Sequence, residues 1–167
     1  MKLGICCALG FFSLALSLGQ PAVAATHLSI SGAAFICANQ VATGNCPNAE
    51  FDPASGSIQN AQGTWAANVA LPQGAVVSGL WLCGNFNESG SSITATLASA
   101  PLTATTGFPT TSAMATVSSS GAVDKTKCFK TSTVTNPTIN NAENQYFVVV
   151  VVPDNDRVIF TSVQILY

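Results

Sequence analysis

Residues 146–152 read Tyr-Phe-Val-Val-Val-Val-Val and stop at Pro153. β-Branched and aromatic side chains lose rotamer freedom in a helix and pack well on a pleated sheet, so this run is a strand. It is far shorter than the ~20 apolar residues that a helix needs to cross a bilayer. Consecutive valines put apolar side chains on both faces, which points to a central strand covered on both sides. Pro153-Asp154-Asn155-Asp156 then supplies turn chemistry, and Ile159, Thr161, Val163, Ile165 and Tyr167 follow at the two-residue strand period. The expectation is a hairpin in which 148–152 pairs with 158–167.

The rest of the chain has the same character. Gly, Pro and Thr interrupt nearly every window of helical period, so no helix competes. Candidate strands lie at 27–36, 64–71, 75–83, 92–99, 113–118 and 128–135. In the second, Trp65, Ala67, Val69 and Leu71 share a face; in the fourth, Ile93, Ala95 and Leu97 do. Pro72-Gln73-Gly74 turns the chain between the second and the third. The segments 38–63 and 99–112 read as loops. About eight short strands with turn-rich joints define an all-β, antiparallel two-sheet sandwich, jelly-roll-like in kind.

Residues 1–24 form a secretory signal peptide: Lys2, an apolar run over 3–18, a break at Gly19-Gln20-Pro21, and Ala22-Val23-Ala24 as the small-x-small cleavage site. Cleavage near Ala24 leaves 25–167 as one domain, secreted or periplasmic, with no further run suited to a helical membrane span. Of the six cysteines, Cys6 and Cys7 leave with the signal peptide. Cys37, Cys46, Cys83 and Cys128 remain, an even count that in an exported chain reads as two disulfides. Asn39, Gly44, Asn45 and Pro47 give the bends that would return Cys46 to Cys37. Cys83 closes one apolar strand and Cys128 opens a later one. The expected pairs are therefore Cys37–Cys46 and Cys83–Cys128.

Three phrases stand in a suggestive order: Ser31-Gly32-Ala33-Ala34-Phe35; Val69 through Ala75 (Val-Ala-Leu-Pro-Gln-Gly-Ala); and Tyr146-Phe147-Val148-Val149 followed by Val163-Gln164-Ile165-Leu166-Tyr167. This order resembles a loose group of secreted bacterial proteins that carry one β-sandwich domain. The resemblance implies a two-sheet sandwich and export, and it implies no active site.

Chemistry-bearing residues are few. Charged residues make up 7% of the chain, and five Lys+Arg against seven Asp+Glu give a net charge of -2. A nucleic-acid partner needs a basic footprint, which is missing. His27, the only imidazole, sits beside the cleavage site, and no Gly-x-Ser-x-Gly elbow surrounds a serine. The carboxylates Glu50, Asp52, Glu88, Asp124, Glu143, Asp154 and Asp156 all fall in expected loops or turns. Two of them facing across a cleft would suit a carbohydrate-active enzyme, the alternative reading. Glu50-Phe51-Asp52 and Asp154-Asn155-Asp156 are the two places where calcium could bind, with a solvated loop or a plain turn as the default. Trp65 and Trp81 are both expected in the core rather than presented to a sugar. Asn87-Glu88-Ser89 matches the N-glycosylation pattern. A small outer-membrane barrel would need aromatic girdles, for which two Tyr and two Trp are too few. The expectation is a non-catalytic binding, adhesive or surface-structural module without a cofactor, whose partner is an extracellular glycan or surface protein.

Overall fold

The computed structural model describes residues 26–38, 46, 49–59, 62–86, 92–103, 110–119, 123–153 and 158–167. Residues 1–24, expected to be a signal peptide, lie outside the described residues, as do Asn87, Glu88, Asp154 and Asp156.

Eleven strands among the described residues form two antiparallel sheets that do not close into a barrel. The first sheet has the order β3 (Glu50–Asp52), β4 (Ser57–Gln59), β11 (Val158–Leu166), β6 (Gly79–Phe86), β9 (Val123–Thr131), and β1 (His27–Ser31) pairs with the far half of β11. The second has the order β2 (Ile36–Cys37), β5 (Gly63–Val69), β10 (Asn144–Val152), β7 (Thr94–Pro101), β8 (Ser112–Ser118). The chain is thus the β-sandwich expected, with eleven strands rather than about eight. The surplus comes from two- and three-residue strands, too short to leave a period in the sequence. Two of them, β3 and β4, lie within 38–63, which reads as loop.

The hairpin expected between 148–152 and 158–167 does not exist. β10 lies between β5 and β7 in the five-stranded sheet, whereas β11 lies in the other sheet beside β6, β4 and β1. Turn-forming residues after Val152 reverse the chain, but they do not dictate whether the next strand pairs with its neighbour or crosses to the facing sheet. β10 is central, as its composition demands, yet covered on one face only. Val148, Val150 and Val152 are buried, Phe147 and Val149 are half-buried, and Val151 is exposed.

β11 departs from strict alternation. Its register against β6 shifts between Phe160 and Ser162, a β-bulge at Thr161. Val158 and Phe160 point inward before the bulge, Val163 and Ile165 after it, so Ile159 and Thr161 do not share their face. Thr161 instead donates its hydroxyl to the Cys83 carbonyl at 3.0 Å. Gly84 lies under this bulge, and a Cβ there would collide with the Ile159 carbonyl oxygen and lie 2.9 Å from Phe160 Cα.

The expected strand 27–36 is also divided. A single 3-10 turn, Gly32–Ala34, separates β1 in one sheet from β2 in the other, and Ser31 caps it by accepting from the Ala33 N–H. Gly32 is required by close approach: a Cβ would lie 2.9 Å from the Phe160 carbonyl and 3.0 Å from that of Gly56. The two alternating faces pack as expected. Trp65, Ala67, Val69 and Leu71 are buried together, as are Ile93, Ala95 and Leu97. They meet Leu80, Leu82, Phe86, Phe160 and Val163 of the facing sheet in one continuous core. Gly74 adopts a φ of 77°, and the Ala75 N–H returns to the Pro72 carbonyl, the geometry of a type II turn. Tyr146 accepts from the Asn140 N–H at 2.7 Å, a tyrosine-corner-like tie that fixes the entry to β10.

Candidate functional site

Both expected disulfides are present. Cys37–Cys46 ties the end of β2 to the segment leading into β3, with a Cα–Cα distance of 6.5 Å. Cys83 and Cys128 stand directly opposite each other on β6 and β9, with Cα atoms 4.0 Å apart.

Among the described residues, the polar side chains singled out in the sequence form no group of three or more. Glu50 and Asp52 belong to β3 rather than to a loop, and Asp124 belongs to β9. The Asp52 carboxylate serves its own turn. It accepts from the Ser55 hydroxyl at 2.6 Å and from the Ala54 N–H at 3.0 Å, closing the connection between β3 and β4. The Ser55 hydroxyl first, and the Ala54 N–H second, hold its pKa below the ordinary value. Glu143 lies in the turn before β10. Among the described residues no three His, Cys, Asp or Glu side chains group as a metal site. His27 opens β1 and pairs with Leu166.

The two tryptophans divide. Trp65 is 7% exposed and packs edge-on to Phe160, centroids 6.3 Å apart. Trp81 is not core. Leu80 and Leu82 point inward, and Trp81 is half-buried on the outer face of its sheet, with Lys130 Nζ 5.8 Å from its ring centroid.

The feature that does stand out is a division of charge between the sheets. The strands of the six-stranded sheet carry His27, Glu50, Asp52, Asp124, Lys125, Lys127 and Lys130. The five strands of the other sheet contain no Asp, Glu, Lys, Arg or His. Their register builds the outer face in rows. One row runs Ile36, Ala66, Val149, Thr96, Thr116; its neighbours are Thr64, Val151, Thr94, Ser118 and Asn68, Phe147, Ala98, Ala113. Within the first, the Thr96 and Thr116 hydroxyls are 3.2 Å apart. Ile36 is 72% exposed and Val151 38%. The strands give this face methyl groups and hydroxyls, with Asn68 and Phe147 among them, and no formal charge. No motif announces it, because it is defined by what the strands lack. The signal in the chain is a negative one: 63–69, 94–101, 112–118 and 144–152 contain no charged residue.

At one corner of the sandwich a pocket of about 200 Å³ is lined by Ala33, Phe35, Ala49, Phe51, Ile58 and Trp65. The 3-10 turn and the β3–β4 hairpin frame it. They are fastened together by Gly56, whose carbonyl accepts from the Ser31 hydroxyl at 2.9 Å and the Ala33 N–H at 3.2 Å. None of Glu50, Asp52 and Glu143 lines this pocket or the shallower ones along Ile36–Ala66 and Met114–Thr135.

Fold and site together define a two-sheet, disulfide-bonded β-sandwich with one neutral outer face. Comparison with protein families, characterised proteins and solved structures returns no match.

Proposed function

We propose that this chain is an exported, non-catalytic binding module whose contact surface is the outer face of the five-stranded sheet. One observation carries the reading: a sheet with no charged residue on any strand leaves Ile36 and Val151 in water. Sheets that face only solvent are kept apart from one another by charges on their faces and edges. A neutral, methyl- and hydroxyl-bearing face suits a neutral partner, a glycan or an uncharged patch of a surface protein, because it brings no unpaired charge to desolvate. Export fits the leader-like segment 1–24 and the two disulfides, which persist in oxidising compartments. It also fits the secreted bacterial sandwiches that the sequence resembles.

A screen of the secreted protein against neutral glycans and surface proteins, in parallel with the Ile36→Lys/Val151→Lys double variant, tests this reading. Partners should be captured by the parent chain and lost by the variant at an unchanged melting temperature. Partners captured equally by both would place the contact elsewhere. N-terminal sequencing of the exported product should begin at or next to Ala25, whereas a product that starts at Met1 would refute cleavage.

A further inference from the structure

We propose that the corner pocket between the 3-10 turn, the β3–β4 hairpin and β5 is a binding site for one small, neutral, apolar molecule of the size of a single aromatic ring. It is distinct from the neutral sheet face. Three observations converge on that class of ligand. Among the described residues every lining side chain is apolar: Ala33, Phe35, Ala49, Phe51, Ile58 and Trp65. A charged ligand would lose hydration there without meeting a charged side chain among these residues.

The volume, about 200 Å³, sets the size. A closed cavity of ~150 Å³ lined by Leu, Ile and Phe admits benzene, so this pocket, open on one side, has room for a ring with a small substituent. The walls, finally, are held in place. Phe35 packs edge-on to Phe160 at 5.3 Å and Trp65 does so at 6.3 Å, which fixes two aromatic walls against the core. The turn on the third side is fixed by Gly56 and by the Asp52–Ser55 bond. The Cys37–Cys46 bond anchors the chain three residues before Ala49. A preformed site does not spend binding energy on ordering its walls. Phe51, 54% exposed, forms the lip by which a ligand enters.

Trp65 makes the site self-reporting. In the oxidised full chain carrying Trp81→Phe, Trp65 is the only tryptophan, and iodobenzene bound beside it quenches its emission through the heavy atom. The expected result is a saturable loss of Trp65 emission with iodobenzene and none with 4-iodobenzoate, which carries a charge. Ala49→Leu fills the pocket and should abolish the saturable component. Phe51→Ser removes only an exposed side chain, so it keeps the proposal falsifiable if the filled variant does not fold, and it should weaken binding. Quenching that rises linearly without saturation, or that is equal for both variants and the parent, shows contact from solvent and overturns the proposal. Equal quenching by 4-iodobenzoate overturns the assignment of a neutral ligand.

Discussion

The two sheets share one core and have opposite exteriors. The six-stranded sheet carries charges on β1, β3 and β9, a half-buried tryptophan beside a lysine, and a disulfide joining facing residues. The five-stranded sheet is built largely from Ala, Ser, Thr and Val and has neither charge nor disulfide across its strands. Stability demands only the inner faces, where Val148 and Val150 meet Phe160 and Val163. The difference between the outer faces is therefore a statement about surroundings. One sheet carries charge to the water, and the other, on the function proposed above, meets an uncharged partner.

If the core is shared, truncation on either side should cost alike. The largest effect is expected for Phe160→Ala, about 3–5 kcal/mol, because it removes the ring that Phe35 and Trp65 pack against. Denaturant melts measure it, and a loss below about 1 kcal/mol would mean the sheets are not packed as described. The disulfides come next. Chain-entropy arithmetic assigns ~4 kcal/mol to Cys83–Cys128 and ~2.7 kcal/mol to Cys37–Cys46. Paired serine variants should lose stability in that order, and non-reducing peptide mapping checks the pairs directly. Gly84→Ala should cost about 1–3 kcal/mol, because the methyl group meets backbone rather than a side chain that can turn away. Val151→Lys, on the neutral face, should stay within about 0.5 kcal/mol of the parent, since it touches no packed feature. A large loss there would mean that face is structural after all.

The smallest effect concerns pH. The folded-state pKa of Asp52 lies below its unfolded value, so its contribution is present above the unfolded pKa and fades as pH falls through the lower folded one. Asp52→Asn should flatten the acid limb of the stability curve slightly and leave neutral-pH stability nearly unchanged, because the group is exposed.

How much of this the chain discloses depends on whether a feature is periodic. Trp65, Ala67, Val69 and Leu71 announce their shared face through alternation, and Ile93, Ala95 and Leu97 do the same. The disulfide pairs follow from where Cys37, Cys46, Cys83 and Cys128 fall relative to strands and bends. Pairing between strands is another matter. Tyr146–Val152 and the strand after it look like a hairpin because adjacency in sequence suggests adjacency in space. The two-sheet architecture separates them, and no local residue records that choice. The bulge at Thr161 likewise depends on Gly84 in a different strand. The unbroken valines of 148–152 suggest cover on both faces, yet in the fold only alternate ones are buried. The corner pocket joins residues as far apart as Ala33 and Trp65 and has no linear signature.

Whether the neutral face is the contact surface is tested most directly by hydroxyl-radical footprinting of the oxidised protein, with and without the strongest partner from the screen. Ile36, Phe147, Val149 and Val151 should become protected while Trp81, Leu28 and Leu166 of the opposite sheet stay as reactive as before. Protection of Trp81 and Leu166 with no change at Phe147 and Val151 would contradict it.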